Sequence, residues 1–294
     1  MASYHAARMV KDLIRLARPR DWAKSVFVLL PVPFAWRAGA HLSVRDLALG
    51  VLAFCATASA VYVLNDLRDA DADRAHPRKR QRPIASGAVA PGVAVPYALA
   101  LLALGFALAW ATGHRLVLTY LALYIATNAF YALGGKQVPI LDVFLLASGF
   151  LLRVLTGCAL VDATPSNWLL TCSLWVALFL GFAKRRADFA RGMGAEAQPE
   201  RIGYRVGFLD QAMSIAAGIT LMSYVLYSQE ATVFVRGREL AGMPFVAFGL
   251  LHYLRLAHMD AVRVAPVEMA WRSRTIQLCS LGWLAATLWS LGVF

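Results

Sequence analysis

Charge is scarce in this chain, and acid is scarcer than base. Only 16% of the 294 residues are charged, with 17 acidic side chains against 29 basic ones. Soluble domains carry about 25% charged residues. The shortfall, together with 60% hydrophobic content and a mean hydropathy of +0.58, excludes an ordinary soluble fold. Cysteine is equally sparse. Cys55, Cys158, Cys172 and Cys279 all lie in apolar stretches and none has C-x-x-C spacing, so they read as small buried hydrophobes rather than disulfides or metal ligands. No cleavable signal peptide is expected at the start, and no Ser-His-Asp or Cys-His pairing is in view.

What is present is a series of long apolar runs. They segment as Trp22–Trp36, Leu47–Asp66, Gly92–Thr112, Leu116–Leu133, Ile140–Val161, Trp168–Ala183, Ala212–Gln229, Met243–His258 and Ile276–Gly292. Runs of this length mark membrane-crossing helices. The expected fold is therefore all-α: a polytopic bundle of about nine transmembrane helices forming one domain over residues 1–294. The first run is short and interrupted by Pro31 and Pro33, so a kink is expected there. Residues 1–21 set Met9, Leu13 and Leu16 against Lys11, Arg15 and Arg18, the pattern of an interfacial amphipathic helix.

The excess of base is distributed asymmetrically. With the N-terminus in the cytoplasm, the inner segments hold 22 of the 29 Lys and Arg residues. This is the positive-inside bias of a multi-pass inner (plasma) membrane protein. Basic loops facing anionic lipid account for the high pI, and nucleic acid is not expected as a partner. A homo-oligomer is compatible with the pattern.

The densest charge run is Asn65-Asp66-Leu67-Arg68-Asp69-Ala70-Asp71-Ala72-Asp73-Arg74, followed by His76-Pro77-Arg78-Lys79-Arg80-Gln81-Arg82-Pro83. If the second helix continues through it, Asp66, Asp69 and Asp73 fall at i, i+3 and i+7 and share one face. Clustered carboxylates repel unless a cation holds them. Mg²⁺ commonly takes one or two carboxylates plus substrate phosphates, and the following Arg and Lys residues suit the same phosphates. The stretch reads as half of a metal–diphosphate site, against the plainer reading of a solvated loop.

Other ionisable groups stand near the same side. Arg20 and Lys24, four apart, share a helical face and either reach a phosphate or snorkel to the interface. Gly134 and Gly135 stop the fourth run and leave Tyr131 and Lys136 close to the surface. Asp142 and Arg153 lie on one face of the fifth run, about 16 Å apart in depth. At membrane depth such groups line a polar cavity or pair with each other. Gly149 and Gly157 on the same run suit close packing. The sixth run ends Lys184-Arg185-Arg186-Ala187-Asp188, with Lys184 and Asp188 at i, i+4, and residues 191–203 read as a mobile loop.

The Asn65-Asp66-x-x-Asp69-x-x-x-Asp73 motif at the end of a second transmembrane helix resembles the first aspartate-rich motif of the UbiA superfamily of intramembrane prenyltransferases. The span pattern is similar over nearly the whole chain. Members that use a prenyl diphosphate carry a second D-x-x-x-D motif after the sixth span, where this chain has Lys184-Arg185-Arg186-Ala187-Asp188. That departure, with the Arg18 to Lys24, His76 to Gly87, Tyr131 to Lys136 and Leu141 to Arg153 stretches, resembles the decaprenyl-phosphate phosphoribosyltransferase-like branch. The resemblance implies Mg²⁺-dependent transfer of phosphoribose from 5-phosphoribosyl 1-diphosphate (PRPP) to a polyprenyl phosphate, supplying envelope pentose donors. It implies Asp66, Asp69 and Asp73 as metal ligands, with Lys136 and Lys184 as further catalytic residues. Asn65, Arg20, Lys24, Arg78, Lys79, Arg82, Tyr131, Asp142, Arg153, Arg185 and Asp188 become the expected substrate contacts. Two other functions fit less of the pattern. A prenyl diphosphate transferase with an aromatic acceptor needs the second acidic cluster, and a transporter for an anionic solute leaves the acidic triad unexplained.

Overall fold

The structure is a computed structural model and describes residues 2–77, 79–190, 203–259 and 266–294. Among these the chain is all-α, with no strand. The helices are α1 (Ala2–Ala17), α2 (Val32–Arg37), α3 (Val44–Arg68), α4 (Ala70–Ala75), α5 (Pro91–Ala111), α6 (Arg115–Leu133), α7 (Leu141–Leu160), α8 (Asn167–Ala190), α9 (Val206–Glu230), α10 (Met243–His258), α11 (Pro266–Arg272) and α12 (Arg274–Ser290). Short 3₁₀ helices run over Pro19–Leu29, Lys79–Gln81 and Gly135–Gln137.

Helix starts follow local chemistry. The Ser43 hydroxyl accepts from the Asp46 N–H to cap α3, Ser273 does the same for Ile276 at α12, and Pro91 opens α5, where no N–H is needed.

Among the described residues, six helices are long and apolar enough to cross a membrane: α3, α5, α6, α7, α8 and α9. The all-α membrane fold is as expected, and these six correspond to the second through seventh expected runs. Helices α10 and α12 occupy the places of the eighth and ninth runs but have only 16 and 17 residues. The first run is not one continuous α-helix. It divides into the 3₁₀ segment Pro19–Leu29 and the six-residue α2, because Pro31 and Pro33 supply no N–H to carry an α-helix across.

The chain forms two compact units. The first holds Met1–Pro31, His41–Ala132 and Leu152–Ala163; the second holds Val32–Ala40, Leu133–Leu151 and Thr164–Phe294. Helix α7 contributes its first half to the second unit and its second half to the first.

The first unit is built on α3, whose middle (Ala53 to Val61) is buried throughout and, apart from Phe54, made of small side chains. Small side chains let neighbours approach. Gly105 of α5 lies against Thr57 and Ala53, and Gly157 of α7 against the Val28 carbonyl and Pro31; at either glycine a Cβ would overlap its neighbour. Leu13 and Leu16 of α1 pack with Val63, Ala70, Ile84, Val89, Ala94 and Ala98, so this face of the amphipathic helix is covered by protein. In the second unit, α8, α9 and α10 enclose a core of Leu178, Phe179, Phe182, Leu209, Met213 and Tyr253, with Val143 and Ala147 from α7.

Candidate active site

The first unit gathers its polar groups at the C-terminal end of α3. Asp66 is 2% exposed, and its Oδ1 accepts from Arg18 Nη2 at 2.5 Å and from Arg82 Nη1 at 2.9 Å. The same Arg82 nitrogen donates to Asp73 Oδ2 at 2.7 Å, and Lys79 Nζ stands 3.9 Å from Asp73 Oδ1. A cavity of about 240 Å³ opens here, lined by Arg15, Arg18, Asp66, Gln81, Arg82 and Pro83.

The helix does not run unbroken through the acidic stretch. It is interrupted at Asp69 (φ −89°, ψ 7°), which closes α3 and precedes α4. The backbone nevertheless keeps i→i−4 bonds across the joint, from Asp69 N–H to the Asn65 carbonyl and from Asp73 N–H to the Asp69 carbonyl. Asp66 and Asp73 thus stay on one side, seven residues apart. Asp71 points elsewhere and pairs with Arg74 in solvent.

Among the described residues, no three His, Cys, Asp or Glu side chains stand close enough together to hold a metal ion. Two carboxylates do converge, since one guanidinium nitrogen touches both Asp66 and Asp73. Two carboxylates completed by substrate phosphate oxygens match the way Mg²⁺ is usually held. The residues fit such an ion.

Arg18 is the residue that sequence reasoning underused. It stands in the left-handed region (φ 53°, ψ 60°), uncommon for a non-glycine residue, and turns the chain from α1 into the 3₁₀ segment. Its guanidinium also lies 5.1 Å from the centre of the Tyr62 ring, which Lys24 Nζ approaches at 5.8 Å. Deeper along α3, Arg153 of α7 stands against two aromatic rings. Arg153 is 3% exposed, its guanidinium 4.4 Å from the Phe54 ring centre and 5.1 Å from that of Tyr124. Cations thus stand against aromatic rings of α3 at two levels, Arg18 and Lys24 at Tyr62 and the buried Arg153 at Phe54. Two tyrosines in apolar helices gave no sign of this by themselves; only their spacing from Asp66 along one helix (Tyr62, four residues earlier) hinted at it.

Lys24 does not share a face with Arg20 as an α-helix would require. The segment is 3₁₀, where i and i+3 eclipse, and Lys24 Nζ instead meets Asp21 at 2.6 Å while Arg20 is exposed. Asn65 is half-buried beside Asp66. Arg78 lies outside the described residues, as do residues 191–202 of the expected loop.

The second unit holds a separate charged cluster. Asp142 is fully buried; its Oδ2 accepts from Arg185 Nε at 2.6 Å and its Oδ1 from the Tyr204 hydroxyl at 2.6 Å. That hydroxyl accepts in turn from the Ile140 N–H at 2.6 Å. Ile140 has φ +69°, an outlier for a β-branched residue, so the turn into α7 is held in a strained form by this bond. Burial, reinforced by the Asp142 acceptor, pushes the Tyr204 phenol well above its ordinary pKa, keeping it a donor. Asp188 pairs with Arg185 Nη1 at 3.8 Å, and Arg186 Nε meets Asp210 at 3.0 Å. Asp142 and Arg153 are accordingly not each other's partners. Lys136, on the 3₁₀ turn after Gly134 (φ 147°), and Lys184 on α8 are both half-buried in this unit, while Tyr131 is half-buried in the first.

These features define a class: an all-helical, multi-pass membrane protein with paired carboxylates and arginines at a helix end. Residues 25–273 match the family model for the UbiA prenyltransferase family, and the chain belongs to that family. A decaprenyl-phosphate phosphoribosyltransferase of Corynebacterium glutamicum is 33% identical over 94% of this chain and 85% of its own length. The protein of the same name from Mycolicibacterium smegmatis is 29% identical over 94% of this chain and 91% of its own. In fold, the chain is similar to a UbiA homologue from Archaeoglobus fulgidus solved with DMAPP and Mg²⁺, with a TM-score of 0.72 at 19% identity over 96% of this chain and all of that one. The protein is a membrane transferase.

Proposed function

We propose that this transferase moves 5-phosphoribose from PRPP to a polyprenyl phosphate with the help of Mg²⁺, releasing diphosphate. The relatives that bear the name of that reaction align over nearly the whole chain. The observation that carries the choice of donor is the character of the two clusters. One presents converging carboxylates, Asp66 and Asp73, among arginines. The other, where a second acidic motif is expected in prenyl diphosphate users, reads Lys184-Arg185-Arg186 at that place, with Arg185 bonded to Asp142.

In this reading Asp66 and Asp73, with Asp69 at the joint, would hold Mg²⁺ against the diphosphate of PRPP. The ion supplies charge neutralisation for the leaving group. Arg18, Arg82 and Lys79 exchange their carboxylate bonds for phosphate oxygens when the donor binds, with Asn65 beside them; Arg78, adjoining Lys79 in sequence, is expected to contribute a further cation. The C1–O bond to diphosphate breaks with its electron pair leaving on the diphosphate. An oxygen of the lipid phosphate forms the new bond to C1. That oxygen is already anionic, so no general base is required, and catalysis rests on positioning and on cations around the developing charge. Lys136, Lys184 and Arg185 orient the acceptor phosphate, supported by Tyr131, Arg20, Lys24 and Arg153. Asp142 and Asp188 act by holding Arg185 in place. The reaction lies on the cytoplasmic side, where a soluble sugar phosphate is available, and its lipid product serves as precursor of envelope pentose donors.

Detergent-purified protein incubated with Mg²⁺, PRPP and a polyprenyl phosphate is expected to release diphosphate and form a ribosylated lipid. Chelation with EDTA should stop the reaction and added Mg²⁺ restore it. Turnover only with a prenyl diphosphate and an aromatic acid would overturn the proposal.

A further inference from the structure

A second basic site adjoins the one just described and shares Arg15 and Gln81 with its cavity. A cavity of about 880 Å³ opens beside α1, lined by Arg8, Lys11, Asp12 and Arg15 on one side and by Arg80 and Ser86 on the other. Four cations thus meet one carboxylate, and that carboxylate is itself buried, with Arg15 3.4 Å away. The cavity is wide and ringed by charged side chains, and Arg8, Lys11 and Arg80 form no ion pair with an acid among the described residues.

Helical spacing assigns α1 three distinct flanks. At about 100° per residue, Arg8, Lys11 and Arg15 fall within one narrow arc. Asp12, Leu13, Leu16 and Ala17 form the next arc, turned into the protein. Val10 and Ile14 form the third, adjoining Lys11, and are 55% and 53% exposed. A soluble anion has no use for exposed Val and Ile beside its binding cations. A phospholipid uses both at once, its acyl chain against Val10 and Ile14 and its phosphate among Arg8, Lys11 and Arg80.

We propose that this cavity binds the phosphate headgroup of an anionic phospholipid, fastening α1 to the membrane at a discrete site beside the catalytic one. The shared chemistry is recognition of a phosphate anion, and the apolar flank selects the lipid source. The lipid would be retained through specific contacts, beyond the general attraction of a basic surface.

Native mass spectrometry of the full chain, titrated with phosphatidylglycerol or phosphatidylcholine, tests this. Wild type is expected to retain phosphatidylglycerol at least about tenfold better, given what each interfacial cation contributes. The Arg8→Gln/Lys11→Gln/Arg80→Gln variant should lose that preference while keeping its helicity by circular dichroism. Val10→Ser/Ile14→Ser should weaken lipid retention with the cations intact. Equal retention of the two lipids by wild type, or an unchanged preference in the triple variant, would overturn the proposal. So would displacement of phosphatidylglycerol by millimolar inorganic phosphate with Val10→Ser/Ile14→Ser indistinguishable from wild type, which would assign the cavity to a soluble phosphate.

Discussion

At the scale of single residues, buried charge decides what each substitution does. Asp66 and Asp73 share Arg82, so removing one carboxylate breaks an arrangement rather than one contact. Asp66→Asn keeps the shape and one acceptor but loses the charge. It is expected to lower diphosphate release by at least about 100-fold while the protein still purifies as a folded species, in line with losses of electrostatic stabilisation elsewhere. Activity near wild type would remove Asp66 from the site. Tyr204 offers a test by pH. Its phenol is raised above the ordinary value of 10.0 by burial and by Asp142. A raised folded-state pKa gives stability that is fully present below the unfolded value and lost as pH rises through the folded one. Wild type should therefore lose thermal stability above about pH 10 more steeply than Tyr204→Phe, although Tyr204→Phe starts lower at neutral pH for want of the hydrogen bond to Asp142. Parallel pH profiles would show that the phenol does not face the carboxylate in solution. The acidic and basic residues of this chemistry were legible because so little else in the chain is charged. Tyr62, Tyr124 and Tyr204 were not, because a tyrosine in an apolar helix or beside one looks like packing until its hydroxyl or its ring has a partner.

At the scale of elements, the long helices were evident from apolar run length, whereas the caps at Ser43 and Ser273 emerge only from the fold. The departures come where backbone donors are missing or bent. The first run, interrupted by Pro31 and Pro33, is a 3₁₀ segment followed by a six-residue helix, and within the 3₁₀ segment Lys24 meets Asp21 rather than standing beside Arg20. The interruption at Asp69 is of a different kind, since the i→i−4 bonding persists and only the dihedrals shift. Neither length nor hydropathy reports such local geometry. Close approach was easier to anticipate: Gly157 lets α7 meet the Val28 carbonyl. Gly157→Ala is expected to destabilise the protein by about 1–3 kcal/mol through overpacking, read as a lower melting temperature in detergent. An unchanged melting temperature would mean the 3₁₀ segment yields freely.

At the scale of the whole molecule, the family is settled by the match over residues 25–273, and the open question is the donor. Each compact unit carries its own charged cluster: Asp66 and Asp73 with Arg18, Arg82 and Lys79 in one, Arg185 and Arg186 held by Asp142, Asp188 and Asp210 in the other. Sequence showed both clusters, because Lys184-Arg185-Arg186 stands where acids were expected. The bonds that fix Arg185 and Arg186, to Asp142 and Asp210, join residues 43 and 24 positions apart and could be found only in the fold. The central claim is that the acidic cluster holds a leaving diphosphate while phosphoribose passes to the lipid. The most direct measurement is to label PRPP separately at its 5-phosphate and at its β-phosphate, react each with a polyprenyl phosphate, and follow the label. The account predicts that the 5-phosphate label enters the lipid fraction and the β-phosphate label leaves as free diphosphate. β-Phosphate label in the lipid, or neither label transferred while a prenyl diphosphate is consumed, would contradict it.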